Sequence, residues 1–149
     1  MDKEAFYCVS FAELRPVDLY GILALRQNVF VLEQTCFYAD LDGIDLACHH
    51  LFRKINGKII STARLVPPGI VYAEASIGRV CTAIEERKTG EGKMLMQTAI
   101  EQTEKLFGKG GIKIGAQLYL EKFYNNFGFI RESEPYDEDG ILHIKMKRE

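Results

Sequence analysis

Apolar positions change spacing several times along this chain, and each change marks an element. Residues 6–11 form a short β-rich run. Pro16 stands where a first helical turn tolerates proline, and Leu19, Ile22, Leu23, Val29 and Phe30 then fall on a helical stripe that ends near Val31. Residues 35–45 mix polarities around Asp42-Gly43, which predicts a loop or a broken short helix. Residues 50–55 and 58–66 are strand-like runs separated by Asn56-Gly57, the pair suited to a type I′ hairpin turn. After Pro67-Pro68-Gly69, residues 74–82 make another strand. Residues 92–107 read as a helix with Leu95, Met96, Ala99, Thr103 and Leu106 inward, closed by Gly108. A short strand at 112–116 leads to a helix over 119–127, stopped by Gly128. Two strands, 129–135 and 141–147, linked at Asp139-Gly140, finish the chain.

The order β-α-β-β-β-α-β-α-β-β predicts a mixed sheet with helices packed on it, an α/β or α+β architecture of about seven strands. No repeat, linker or low-complexity stretch divides the 149 residues, so one domain is expected. The stretch from Glu74 onward is the expected ligand-bearing part, because strand ends opening onto helix N-termini make crevices.

Composition narrows the class of function. A formal net charge of -2 argues against a nucleic-acid binder. No apolar run approaches the roughly 20 residues of a membrane span. The start, MDKEAFYCVS, lacks the basic-then-apolar pattern of a leader. The cysteines, Cys8, Cys36, Cys48 and Cys81, form no CxxC pair, so reduced thiols and a cytoplasmic location are expected. Cys48, His49 and His50 cannot converge on a metal from adjacent strand positions, and no metal is expected.

The chemistry concentrates at RKTGEG, Arg87 to Gly92. Gly90 and Gly92 let backbone approach a ligand, the first N–H groups of the following helix are free, and Lys88 and Lys93 add positive charge. The same residues would also serve a turn that merely needs glycine. The spacing is not that of a nucleotide P-loop.

Context extends this reading. Arg87-x-x-Gly90-x-Gly92 resembles the [Q/R]xxGx[G/A] signature of the GNAT acetyltransferase superfamily, and Phe123-Tyr124 with Gly128-Phe129 resembles its FYxxxGF ending. The stretch from Arg26 to Gln34, Gly115-Ala116-Gln117, and the segment from Tyr136 to Met146 are similar to elements of the ElaA-like branch. The resemblance implies a sheet splayed between its fourth and fifth strands, with acetyl-CoA in the opening. Arg87, Lys88, Thr89, Gly90, Glu91, Gly92 and Lys93 would hold the pyrophosphate, and the backbone of Val80, Cys81 and Thr82 would pair with the pantetheine amides. Gln117 stands where many members of the superfamily have Asn against the pantetheine arm. Tyr124 matches the tyrosine that approaches the coenzyme A sulfur, so it is both a cofactor contact and the candidate acid.

Acyl transfer from a thioester to an amine also needs a base. With a pKa near 10.4, only about one alkyl ammonium in 2,500 is neutral at pH 7, a deficit of about 4.6 kcal/mol. Glu33, at an apolar helix end where burial would raise its pKa, is one candidate; it could equally pair with Arg26 or Arg64. His50 and His143 are the others. Arg26 lies on an apolar stripe and needs a partner, either a buried ion pair or a substrate carboxylate, and Arg64 and Arg79 pose the same question. The expected acceptor is a small amine. An edge strand near the C-terminus offers a surface for a homodimer. Two other readings stay open: a silent acyl-CoA-binding or sensor module on the same fold, and a nucleotide-binding regulatory domain.

Overall fold

The computed structural model describes residues 5–149. Residues 1–4, part of the start read above for a leader, lie outside the described residues. Among the described residues, eight strands form two antiparallel sheets. The first has the order β1 (Tyr7–Ser10), β2 (His49–Ile55), β3 (Lys58–Val66), β4 (Ser76–Thr82). In the second, β8 (Ile141–Arg148) lies between β5 (Ile112–Gln117) on one side and β6 (Ile130–Arg131) with β7 (Tyr136–Glu138) on the other.

Helix α1 (Pro16–Arg26) and helix α2 (Glu91–Phe107) cover opposite faces of the first sheet. Leu51, Ala63, Leu65 and Ile77 pack toward α2 with Leu95, Met96 and Ala99, and with Ile114, Ile144 and Met146 of the second sheet. Phe52, Ile59 and Cys81 face Ile22, Leu25 and Val29 on the α1 side. This double cover explains why every residue of β3 after Lys58 is buried, a run too continuous for a sheet with one wet face. The β2–β3 turn carries Asn56 and Gly57 at φ 52° and 78°, as a type I′ turn requires.

Three expectations are corrected. The stripe from Pro16 does not stay α-helical: after Arg26 the chain continues as a π-helical segment, Gln27–Glu33. Apolar spacing over one or two turns cannot report that change of pitch. The helix expected over 119–127 shrinks to a 3₁₀ turn, Leu118–Leu120, and α3 (Glu121–Asn125). The strand expected over 129–135 is only β6, and the Asp139-Gly140 turn joins β8 to a separate short strand, β7. Ser133 supplies the reason for the break. Its hydroxyl accepts from the Lys145 N–H at 2.8 Å, so a side chain replaces the main-chain bond a continuing strand would have made.

The two sheets meet through β4 and β5, which run parallel. A bridge at Ala75–Ile112 and a Lys113 N–H to Ala75 carbonyl bond of 3.0 Å join their beginnings. No further bridge between them is found among the described residues, and the strands diverge toward their carboxyl ends. The splay therefore leaves an opening that Thr82 and Gln117 line, with Arg87 of the loop ahead of α2.

Candidate active site

The opening has a volume of about 360 Å³ and is lined from every element that meets it. β4 contributes Ile77 to Thr82, β5 contributes Gly115 and Gln117, the segment around α3 contributes Tyr119, Leu120 and Tyr124, and the β7–β8 hairpin contributes Glu138, Asp139, Ile141 and His143. Val29, Phe30, Glu33 and Gln34 close it from the π-helical side.

β4 is irregular where it borders this space. Thr62 pairs with Cys81 and Arg64 with Gly78, so Arg79 and Val80 both stand opposite Ala63. This is a β-bulge, and Arg79 takes φ 48° within it. The extra residue breaks the alternation of faces: Ile77 and Val80 both pack toward the α2 core, while Cys81 turns to the α1 core. A bulge also frees main-chain groups from the ladder, here beside the opening.

Tyr124 is 7% exposed and meets Phe123 and Phe129 edge-on at ring separations of 5.2 and 6.0 Å. Its hydroxyl makes no hydrogen bond among the described residues. Burial pushes its pKa up to about 12, so at neutral pH it is a proton donor. Gln117 reaches the same space, its amide 3.5 Å from the Gln34 side-chain oxygen.

The glycine loop lies at the rim. Lys88, at φ 65°, and Gly90, at φ 87°, turn the chain into α2, and the Thr89 hydroxyl donates to the Glu86 carbonyl at 2.6 Å. Lys88, Thr89 and Gly90 are exposed and, with Gly92 and Lys93, stay outside the lining, which includes only Arg87 of this loop. Glu91 turns inward. Its carboxylate, 2% exposed, accepts from Arg53 at 2.6 Å and from Ser61 at 2.7 Å, across a paired position of β2 and β3. It pins the first turn of α2 to the sheet and leaves a ligand only the main-chain N–H of that residue.

The base candidates separate. His143 lines the opening. His50 does not: it is 1% exposed, and its Nε2–H donates to the Asp45 carbonyl at 3.0 Å. Burial lowers its pKa, so it stays neutral inside the fold. Glu33 faces the opening, but the expected rise in its pKa is not found. A two-pronged ion pair with Arg87 holds it below the usual carboxylate range. Its partner is neither Arg26 nor Arg64, and Arg87 spends its remaining reach on the Thr82 carbonyl at 3.2 Å.

The three arginines that needed partners find them in one place. Arg26, 1% exposed, binds Asp40 at 2.9 Å and Asp45 at 2.8 Å. Arg64 binds Asp42 and Asp45, and Arg79 binds Asp40 and Asp42. Three cations from α1, β3 and β4 are thus matched by three carboxylates of one loop, and none is left over for a substrate carboxylate. The three aspartates were missed in the sequence, although the unpaired arginines were the signal.

Hydrogen bonds from Arg64 hold Asp42 at a pKa of about 2, against 3.8 for a free carboxyl. Its share of stability is present above about pH 4 and is lost as pH falls through 2. Urea midpoints measured from pH 5 to pH 2 should therefore drop most below pH 4, and the drop should flatten in Asp42→Asn. An unchanged profile in that variant would refute the assignment.

Among the described residues no group of three or more His, Cys, Asp or Glu side chains could hold a metal ion, and no helix is long and apolar enough to cross a membrane.

Residues 27–149 match the model of the acetyltransferase (GNAT) domain family. The chain is 41% identical over 151 residues to a UPF0039 protein of Schizosaccharomyces pombe, covering 100% of this chain and 99% of that one. It is 38% identical to the protein ElaA of Escherichia coli over 140 residues, 93% of this chain and 92% of ElaA. The crystal structure of ElaA superposes with a TM-score of 0.92 at 35% identity, covering 98% and 99% of the two chains. An acyl-CoA N-acyltransferase from Pseudomonas aeruginosa gives a TM-score of 0.93 at 36% identity, with 97% and 99% covered.

Proposed function

The chain belongs to the GNAT acetyltransferase family, in its ElaA-like branch, and from that premise we propose that it transfers the acetyl group of acetyl-CoA directly to a primary amine of a small acceptor. The observation that carries the reading is the splay of β4 from β5, which brings a bulged strand edge, Arg87 at the start of the glycine loop, and Tyr124 to one opening.

In this reading the pantetheine arm lies along Val80, Cys81 and Thr82, whose edge has no partner strand among the described residues beyond the Ala75 bridge, and Gln117 faces it from β5. The pyrophosphate sits at the first N–H groups of α2 (Glu91, Gly92, Lys93), with Lys88, Thr89 and Gly90 around it. Arg87 braces the loop through Glu33 and Thr82. A bulge N–H polarises the thioester carbonyl. The nitrogen attacks, the N–C bond forms and the C–S bond breaks, and the thiolate needs a proton. With a pKa of about 12 against about 8.5 for a thiol, Tyr124 alone would give up its proton uphill by roughly 4.8 kcal/mol. It therefore acts as a hydrogen-bond donor to sulfur that completes the transfer as the attacking nitrogen loses its own proton.

His143 is the base in this scheme, since it lines the opening and its free nitrogen is available there. A cytoplasmic setting belongs to the reading as well: Cys48 and Cys81 are buried thiols with pKa values pushed up to about 11 and about 12, unsuited to exchange chemistry.

The test is ligand-induced stabilisation. Acetyl-CoA at a hundred times its Kd should add about 2.7 kcal/mol, which for a chain of this length is a Tm rise of roughly 5–11 °C. Coenzyme A should act similarly and ATP should not. A rise with ATP alone would point instead to the nucleotide-binding reading. Binding of acetyl-CoA without thiol release across a broad amine panel would favour a silent sensor.

A further inference from the structure

The β7–β8 hairpin sets beside His143 a carboxylate, Glu138, that the acyl-transfer chemistry leaves unexplained. His143 Nδ1 lies 2.8 Å from the Ile141 carbonyl. A carbonyl only accepts, so Nδ1 carries the hydrogen, and in the neutral ring the Nε2 lone pair is free. That Nε2 lies 3.6 Å from Glu138 Oε2. Two acceptors therefore face each other across a gap that no donor of the described chain fills.

The ring is fixed. Tyr136 stacks on it at 6.1 Å and 29°, and the His143 side chain is only 10% exposed. Both His143 and Glu138 line the opening with Tyr124, and His143 pairs across the sheet with Gln117 at its mouth. The charges around them are uneven. Arg79 and Arg87, the cations of the lining, are matched by Asp40 with Asp42 and by Glu33. Among the described residues, Glu138 and Asp139 of the lining have no cation beside them other than what His143 becomes when protonated.

We propose that this end of the opening selects a cationic primary amine that carries no carboxylate near its nitrogen, with the ammonium held between Glu138 Oε2 and His143 Nε2. The proposal rests on the acyl-transfer reading above and assigns its acceptor class. The bound ammonium gives one proton to Nε2, forming an imidazolium that Glu138 stabilises. The neutral nitrogen then attacks the acetyl carbon, the C–S bond breaks, and the second nitrogen proton reaches the coenzyme A sulfur by way of Tyr124. His143 returns its proton to solvent. The products are the N-acetylamine, the free thiol and one proton. A carboxylate on the acceptor would meet Glu138 and Asp139 and be repelled.

Thiol release from acetyl-CoA by the full chain, with hexylamine, hexanediamine and 2-aminohexanoate (the aminohexanoate with its carboxylate on the carbon that bears the nitrogen) as acceptors, tests the proposal. The two carboxylate-free amines should exceed aminohexanoate at least tenfold in kcat/KM. Glu138→Gln should raise their KM about ten- to hundredfold, the range of one charge-assisted hydrogen bond, with Glu138→Asp retaining part of the affinity. Glu138 is half exposed, so neither variant should disturb folding. Equal or better use of aminohexanoate, or an unchanged KM in Glu138→Gln, overturns the proposal. So does the absence of thiol release with all three amines. Acetyl-CoA binding, measured by calorimetry in parallel, keeps the readings apart: if acetyl-CoA binds, only the acceptor assignment fails, and if it does not, the acyl-transfer reading fails too.

Discussion

Tyr124→Phe should lower kcat by at least a hundredfold while changing the Kd of acetyl-CoA less than threefold. The substitution removes one oxygen from a ring whose packing against Phe123 and Phe129 is otherwise intact. General-acid assistance is commonly worth 10²–10⁴ in rate, so the lower bound corresponds to about 2.7 kcal/mol of transition-state stabilisation. The hydroxyl has no hydrogen-bond partner among the described residues, so its loss leaves no buried group stranded and the Tm should move little. A tyrosine that serves packing alone would leave kcat unchanged. Retention of kcat within threefold, for an acceptor that the wild-type protein turns over well, would remove Tyr124 from the chemistry.

Arg26→Met should cost about 3 kcal/mol of folding stability, the largest loss expected from a single change away from the opening. The guanidinium is 1% exposed and donates to Asp40 and to both oxygens of Asp45. Breaking a buried ion pair from one side typically costs 3–5 kcal/mol, because the remaining charge is left in a poor solvent. The lower end applies here, since Asp45 keeps Arg64 and Asp40 keeps Arg79. For a chain of this length the loss corresponds to a Tm drop of roughly 6–12 °C. The denaturant midpoint should fall with little change in slope, and adding Asp45→Asn should recover part of the loss by removing the excess negative charge. A loss below 1 kcal/mol would mean that solvent reaches the network and screens it.

The network also matters for the opening. The loop holding Asp40, Asp42 and Asp45 continues from Cys36 and Tyr38, which line it, and the Cys36 thiol donates to the Asp139 carbonyl at 3.0 Å. Loosening the loop should therefore reach the β7–β8 turn and the acceptor end through that contact.

Much of this protein was legible in the sequence because the relevant physics is local. The Asn56-Gly57 hairpin, the helix closed by Gly108 and the glycine loop ahead of α2 follow from turn stereochemistry and apolar spacing. The resemblance carried by Arg87, Gly90, Gly92 and Phe123-Tyr124 pointed to the family and the splay. The demand of Arg26 for a buried partner was also readable, because an unpaired charge on an apolar stripe is untenable.

What the tertiary structure decided is who meets whom. The pitch change after Arg26, the bulge at Arg79 and the split of the last strands depend on packing and on the partner strand, which no local pattern encodes. Glu33 was read either as a candidate base or as a partner of Arg26 or Arg64, and folding sets a different cation, Arg87, 54 residues later, beside it. His50 and His143 look alike in sequence. Only the three-dimensional arrangement buries one against Asp45 and turns the free nitrogen of the other toward Glu138, since the fate of a titratable side chain is set by burial and by charges distant along the chain.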